Sequence, residues 1–405
     1  MTKHQSALVL EGREIKVRLM AERARVGSFV HVDWLRVTFQ LRHCPAPSVE
    51  VLFPKHIQDP TDLYFGSGQR SALEKVIHPH LDELTQDEQF VADRAYELGK
   101  QVAGILGTDF AVESQLLPGR DFYKYRYTIT RKGYPVGWVG FLSASNGKYR
   151  SSQDKTVHLN LEGMGCTFAQ HGWREKMADF IDEYRGLITR TDLALDFFDG
   201  LKGGFNRVKS DFLAGKMDCN GRRPAGRANE DLNEKSKGSS FYIGTRESGK
   251  LTNAYEKGKQ LFGCEDDSNW WRVELRYGNQ KRVIPSDILR RPSDFFAGAS
   301  PWHAEILAEH GTQYRAEPIK CTERLQQQNI DAEVSRAVRW FMETALPTAL
   351  LAFQYLPEKV LLQLFDEGRK LPNRLRKFDR DEIAARFATC FHSVTGKGHA
   401  GALTV

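Results

Sequence analysis

Cysteine is scarce. There are six in 405 residues, namely Cys44, Cys166, Cys219, Cys264, Cys321 and Cys390, and no two form a CxxC pair. That spread excludes a disulfide framework or a zinc ribbon and leaves reduced thiols. No apolar stretch reaches the roughly 18 residues needed to cross a bilayer. The longest candidate, ALPTALLAFQYLP, is short and broken by prolines. The first residues lack the apolar run of a secretory signal, so the expected location is cytoplasmic, with no membrane partner. Walker and dinucleotide-type glycine motifs are missing, so any helicase work would fall to another protein. The excess of basic residues is modest at +6, and it suits a polyanionic partner. It is also local. From Lys202 to Gln260 there are thirteen Lys/Arg against seven Asp/Glu, so that stretch alone carries the whole excess.

Three polar patterns lie within this basic region or beside it: TRTDLALDFFDG from Thr189, FYIGTRESGKLTNAYEKGKQ from Phe241, and WWRVELRYGNQ from Trp270. Each alternates apolar and polar residues with the period of a strand, and successive side chains on a strand point to opposite faces. Thr191, Leu193, Leu195 and Phe197 therefore share a side, opposite Asp192, Ala194 and Asp196. Trp271, Val273 and Leu275 oppose Arg272, Glu274 and Arg276. The pattern predicts a sheet with one face on a core and the other open. The open face would carry Asp192, Asp196, Glu274, Arg272 and Arg276, a set that attracts a divalent cation and a phosphate. Asp192 and Asp196 stand about 13 Å apart along a strand, too far to chelate one ion together. One of them with Glu274 on a neighbouring strand is easier. Oxygen-only ligands favour Mg²⁺ or Mn²⁺. The same residues also fit a charged, solvated sheet face.

The middle pattern reads as a hairpin. If its turn centres on Ser248-Gly249, Tyr242 and Tyr255 come opposite each other. Leu251, Asn253, Tyr255, Lys257 and Lys259 would then share a face. A free tyrosine has a pKa near 10, and it becomes a nucleophile only where cations favour the phenolate. Tyr255 followed by Lys257 and Lys259 has that company, although an amphipathic surface tyrosine beside solubilising lysines would look alike.

In this order and spacing the three patterns resemble the replication initiation factor (Rep_trans) family of filamentous phages and rolling-circle plasmids. Arg190, Asp192, Ala194 and Asp196 match its R-x-D-x-A-x-D strand. Tyr242, Gly244, Arg246 and Ser248 match its hairpin, with Tyr255 and Lys257 at its Y-x-K, and Trp271, Arg272 and Glu274 match its W-R-x-E strand. HVDWLRVTF, with Asp33, is similar to its opening strand, and VHLNLEGMGC to a segment of its phage members. The resemblance spans roughly residues 27 to 300. It implies a site-specific DNA endonuclease and strand transferase. Tyr255 would attack one origin strand, form a 5′-phosphotyrosine link and release a 3′-OH primer. Lys257 and Arg272 would assist, and Asp192, Asp196 and Glu274 would hold Mg²⁺ or Mn²⁺. Arg190, Arg246, Lys250, Lys259, Arg222, Arg223 and Arg227 would grip DNA. Origin DNA, single-stranded or supercoiled, a host helicase and a host polymerase are the implied partners, and a homodimer is compatible. A non-catalytic origin-binding or regulatory protein, a structural phage factor and a conjugative relaxase of the same chemistry stand as other readings.

The expected architecture is α+β. An antiparallel sheet with flanking helices forms a catalytic domain over residues 27–300, after a basic, loosely ordered leader (1–26) with some helical pattern. A mainly helical region follows from 301 to 405. Helices are expected over Asp82–Gly107, near Phe168 and after Leu201, and a hairpin turning at Lys132-Gly133. Arg222, Arg223, Arg227, Lys235 and Lys237 lie in a run without periodicity that reads as a mobile basic loop. Tyr123, Tyr125, Tyr127 and Trp138 could stack on bases, though core packing explains them as well. His78-Pro79-His80 mimics a metal motif, but a central proline does not fit a central strand. Arg369, Lys370, Arg374, Arg376, Lys377 and Arg380 form a basic cluster near the C-terminus.

Overall fold

The computed structural model describes residues 3–26, 28–46, 86–144, 153–219, 221–230, 238–263, 268–309, 316–357, 359–360, 375–376 and 378–395. His78-Pro79-His80, Lys235 and Lys237 lie outside the described residues, as do Arg369, Lys370, Arg374 and Lys377. The chain divides into two compact units, Met1–Cys321 and Thr322–Val405.

The described strands are β1 (Val30–Gln40), β2 (Phe110–Val112), β3 (Leu117–Pro118), β4 (Tyr123–Arg131), β5 (Tyr134–Ser143), β6 (Thr156–Leu161), β7 (Leu187–Phe197), β8 (Gly226–Asn229), β9 (Ser240–Thr245), β10 (Lys250–Glu256) and β11 (Trp271–Gly278). They form one antiparallel sheet in the order β2-β4-β5-β6-β1-β7-β11-β10-β9-β8, with β3 beside β4. The described helices of this unit are α1 (Lys3–Val26), α2 (Gln86–Leu106), α3 (Gly163–Phe168), α4 (Trp173–Glu183), α5 (Gly204–Leu213), α6 (Lys257–Phe262), α7 (Asp287–Arg290), α8 (Pro292–Ala297) and α9 (Pro301–Ala308). The α+β architecture expected from the period-two patterns is what the chain adopts, including the turn at Lys132-Gly133, where both residues take positive φ.

The three polar patterns are adjacent strands, because β11 sits between β7 and β10. Their apolar sides face the core. Leu193, Leu195, Val273 and Leu275 join Leu35, Val37 and Phe39 of β1 in one cluster, closed by Leu98, Val102 and Leu106 of α2 and Phe295, Phe296 and Trp302 of α8 and α9. Tyr127 and Trp138 are buried. Tyr127 packs on Phe141 and Trp138 on His158, so packing rather than base stacking accounts for both. Trp302, His303 and Ile306 are fully or nearly fully buried in this unit. That burial explains why the division falls after Cys321 rather than near 300.

Two expectations change in detail. The leader is a 24-residue helix, α1. The basic loop contains β8, whose four exposed residues extend the sheet beside β9. The second unit is helical: α10 (Arg324–Trp340), a π-helical turn at Phe341–Ala345, α11 (Leu346–Tyr355) and α12 (Arg380–Thr395). Its small core joins Ile330, Val334 and Val338 to Leu375, Ile383 and Cys390. The wide π turn ends two residues before Pro347, a residue that cannot donate to a helix ladder.

Candidate active site

Register decides the chemistry of the polar face. Strand β11 lies against β7 with Arg272 opposite Asp196, Glu274 opposite Ala194 and Arg276 opposite Asp192. Each aspartate of β7 therefore faces a guanidinium, and Glu274 faces only a methyl group. Asp196 accepts from Arg272 Nε at 2.7 Å, Arg272 Nη2 at 3.0 Å and Trp270 Nε1 at 2.6 Å. Asp192 accepts from both Arg190 and Arg276, the latter at 3.1–3.3 Å. Bidentate guanidinium contacts of this kind occupy most of a carboxylate's lone pairs. The face is also not open: Asp192, Asp196 and Arg272 are at most 2 % exposed.

Strand β1 adds an acid from the other side. Val32 pairs Leu193 and Trp34 pairs Asp192, so Asp33 is an extra residue, a bulge of the kind that re-aims a side chain. It keeps His31 and Asp33 on the polar face together with Trp34 and Arg36. Arg272 Nη1 donates to Asp33 Oδ1 at 2.8 Å, so this one guanidinium ties β11 to both β1 and β7. Against the penalty of burial, Arg272 holds Asp33 well below the usual carboxylate range. Burial would lower Arg272, but Asp196 and Asp33 outweigh it and hold the guanidinium above its ordinary value.

Tyr255 stands opposite Arg272, and its hydroxyl donates to Glu274 Oε2 at 3.3 Å. Burial pushes Glu274 up to about 7, helped by the negative charges of Asp33 and Asp192. Burial pushes the Tyr255 phenol well above its ordinary value, against the attraction of Arg272. Lys257 follows at the first position of α6, with Nζ 5.6 Å from the centre of the Tyr255 ring. Burial and the nearby Arg272 charge lower it to about 8. Desolvation therefore outweighs the cations, and the tyrosine rests as a neutral phenol beside a carboxyl poised to ionise near neutral pH.

The hairpin turn is one residue earlier than Ser248-Gly249 implies. Thr245 pairs Lys250, and Tyr242 faces Asn253 while Tyr255 faces Ser240. The shared face also stops at Glu256, where β10 gives way to α6. Lys259 consequently meets Glu256 at 3.0 Å. The roof over the site is α1. Leu19 packs with Phe198 and Trp270, and Arg23 donates to the Asp196 carbonyl at 2.9 Å. Tyr255 is left 9 % exposed.

The model of the replication initiation factor family matches residues 186–347. The matched segment, less than half of the chain, is similar to that family. It contains β7, the hairpin and β11, and so Tyr255, Lys257, Arg272 and Glu274. No curated protein matches the chain. Among solved structures, the rolling circle replication initiator protein from Geobacillus stearothermophilus is similar at 20 % identity, covering 66 % of this chain and 83 % of that one, with a TM-score of 0.39.

Within and around the family segment the expected DNA-gripping cations separate. Arg222, Arg223 and Arg227 are exposed at the β8 edge, with Arg227 over the Tyr242 ring at 4.8 Å. Arg246 is exposed in the hairpin turn, about 17 Å along β10 from Tyr255. Lys250 points the other way and donates to the Ala299 carbonyl at 2.6 Å, so it is committed to the fold. Arg190 holds Asp192 and covers the Trp34 ring at 4.5 Å.

Among the described residues no three His, Cys, Asp or Glu side chains form a ready group to hold a metal ion. With Asp192 and Asp196 held by arginines and Glu274 bonded to Tyr255, Asp33 is the carboxylate that fits a cation best. It takes one close hydrogen bond, from Arg272, and lies 3.6 Å from a buried His31 nitrogen that has no hydrogen bond within normal distance. A Mg²⁺-type ion needs only one or two carboxylates when phosphate and water complete its shell. The sequence signal for this pair was the alternation His31, Asp33 just before Trp34, which the three stronger patterns overshadowed. No described helix is long and apolar enough to cross a membrane.

Proposed function

We propose that the protein initiates rolling-circle replication by nicking one origin strand with Tyr255 and later rejoining it. The observation that carries this reading is the Tyr255 hydroxyl bonded to a carboxyl whose pKa is about 7, with Arg272 and Lys257 beside the ring. A base works best when its pKa lies near the working pH. Ionised Glu274 takes the phenolic proton, and the Tyr255 oxygen bonds to phosphorus. The bond from phosphorus to the 3′ oxygen breaks, leaving a 5′-phosphotyrosine and a 3′-OH. Lys257, protonated below about 8, gives the departing oxygen its proton. Arg272 stabilises charge on the phosphoryl oxygens. A divalent cation beside Asp33, Mg²⁺ or Mn²⁺, would supply further neutralisation of the phosphate. The ester exchange keeps the bond energy, so rejoining requires no ATP.

In this reading Asp192 and Asp196 anchor arginines, and Glu274 serves as a base instead of a metal ligand. The β8 arginines track the DNA backbone, and a host helicase and polymerase extend the 3′-OH. The test uses supercoiled DNA carrying the cognate origin with Mg²⁺ or Mn²⁺, and wild type, Tyr255→Phe and Tyr242→Phe. Open circles and a covalent protein–DNA band, lost only in Tyr255→Phe, support the reading. Binding of that DNA by wild type without any cleavage overturns it in favour of a non-catalytic origin-binding protein.

A further inference from the structure

His31 lies one residue pair from the reacting groups and has no place in the chemistry above. It pairs with Ala194 on β7, and Ala194 pairs with Glu274 on β11. On the polar face, then, only a methyl separates the His31 strand from the Glu274 strand. His31 is 8 % exposed, and its Nε2 is buried without a hydrogen-bond partner. An orphaned buried nitrogen is costly and calls for an explanation.

Its surroundings supply one. Nε2 lies 3.6 Å from Asp33 Oδ1, beyond hydrogen bonding. Neighbouring ligands of an octahedral ion, with bonds of about 2.1 Å, stand about 3 Å apart, so a shift of about half an ångström would let one ion bridge them. The other ring nitrogen, Nδ1, lies 3.5 Å from Asp196 Oδ2. A metal-bound histidine usually sets its second nitrogen against such a carboxylate, which fixes the ring. Asp196 is itself held by Arg272 and Trp270, so the ring's backstop is rigid. The Asp33 bulge brings the acid to the histidine's side.

We propose that His31 is a nitrogen ligand of the divalent cation at this site, paired with Asp33, and that it shifts the preference from Mg²⁺ towards Mn²⁺. The inference rests on Asp33 as the cation's carboxylate. Imidazole suits later divalent metals, and Mg²⁺ favours oxygen ligands. Two protein ligands leave the remaining positions to water and to phosphate oxygens.

The experiment titrates the full chain, without DNA, with Mn²⁺ and follows electron paramagnetic resonance, recording electron spin echo modulation for coupling to ¹⁴N. Wild type is expected to bind Mn²⁺ with a histidine nitrogen coupling. His31→Ala and His31→Asn should lose that coupling and bind Mn²⁺ at least about tenfold more weakly, with a smaller loss in Mg²⁺ competition. His31→Asn keeps a polar group of similar reach and decides the matter if the alanine variant unfolds. Mn²⁺ bound without nitrogen coupling, unchanged affinity in both variants, or no binding by wild type overturns the proposal. Nitrogen coupling in a protein that never nicks its origin would sustain the ligand and remove the nicking reaction. Nicking without that coupling does the reverse.

Discussion

Strand β7 and the two strands that flank it carry the same kind of side chain to opposite ends. Asp192 and Asp196 on β7 are buried and clasped by guanidiniums. Asp33 on β1 has a single arginine bond, and Glu274 on β11 has a tyrosine. For Glu274 what differs is register: a two-residue step along the face sets a β11 side chain opposite an aspartate or opposite Ala194. The β7 acids are held by two or three close donors each, whereas Asp33 has one close guanidinium and Glu274 a tyrosine and a more distant Arg276.

That contrast can be broken by substitution. The largest effect is expected from Tyr255→Phe, which should reduce origin nicking by more than about 10⁴-fold, since a missing nucleophile has no substitute. Next, Asp196→Ala would leave Arg272 buried without its main partner, and a broken buried pair costs about 3–5 kcal/mol. Urea denaturation should show that loss. Glu274→Gln should also abolish most nicking, by about 10²–10⁴-fold, yet move stability the other way. The folded pKa of Glu274, about 7, lies above its ordinary value, so its stabilising contribution is complete at low pH and lost as pH rises towards 7. The glutamine variant should therefore gain on wild type between pH 5 and 8, by at most about 3 kcal/mol. A loss of stability at pH 8 would place Glu274 with the β7 acids.

A pH profile sharpens the comparison. Nicking should fall below about 7 as Glu274 protonates and above about 8 as Lys257 loses its proton, giving a narrow bell in kcat/KM. Glu274→Gln should remove the acid limb. The smallest effect belongs to the β8 edge. Replacing Arg222, Arg223 and Arg227 together should flatten the salt dependence of DNA binding by about two to three units of slope. A chain of unchanged slope would remove them from the interface.

Much of this site was legible in the sequence. Alternation placed Asp192, Asp196, Arg272 and Glu274 on one face, and the strands are neighbours. Which residue faces which was not legible, because register depends on turns and bulges that alternation does not encode. The hairpin shows the cost: a turn one residue early moves Tyr242 from Tyr255 to Asn253. Lys250 read as a DNA contact because a lysine in a basic stretch looks exposed, but its parity puts it on the Ala299 side. The roof was hidden for a different reason. The helix α1 shows little amphipathic pattern, and its grip on Phe198 and Trp270 comes from a few residues such as Leu19 and Ile15.

The most direct test is the position of the covalent link. Wild type would be incubated with its origin DNA and the cation, then digested with nuclease and protease, and the nucleotide-bearing peptide identified by mass spectrometry. The account predicts a nucleotide phosphate on Tyr255. A modified Tyr242, or nicked DNA with no modified peptide, would contradict it.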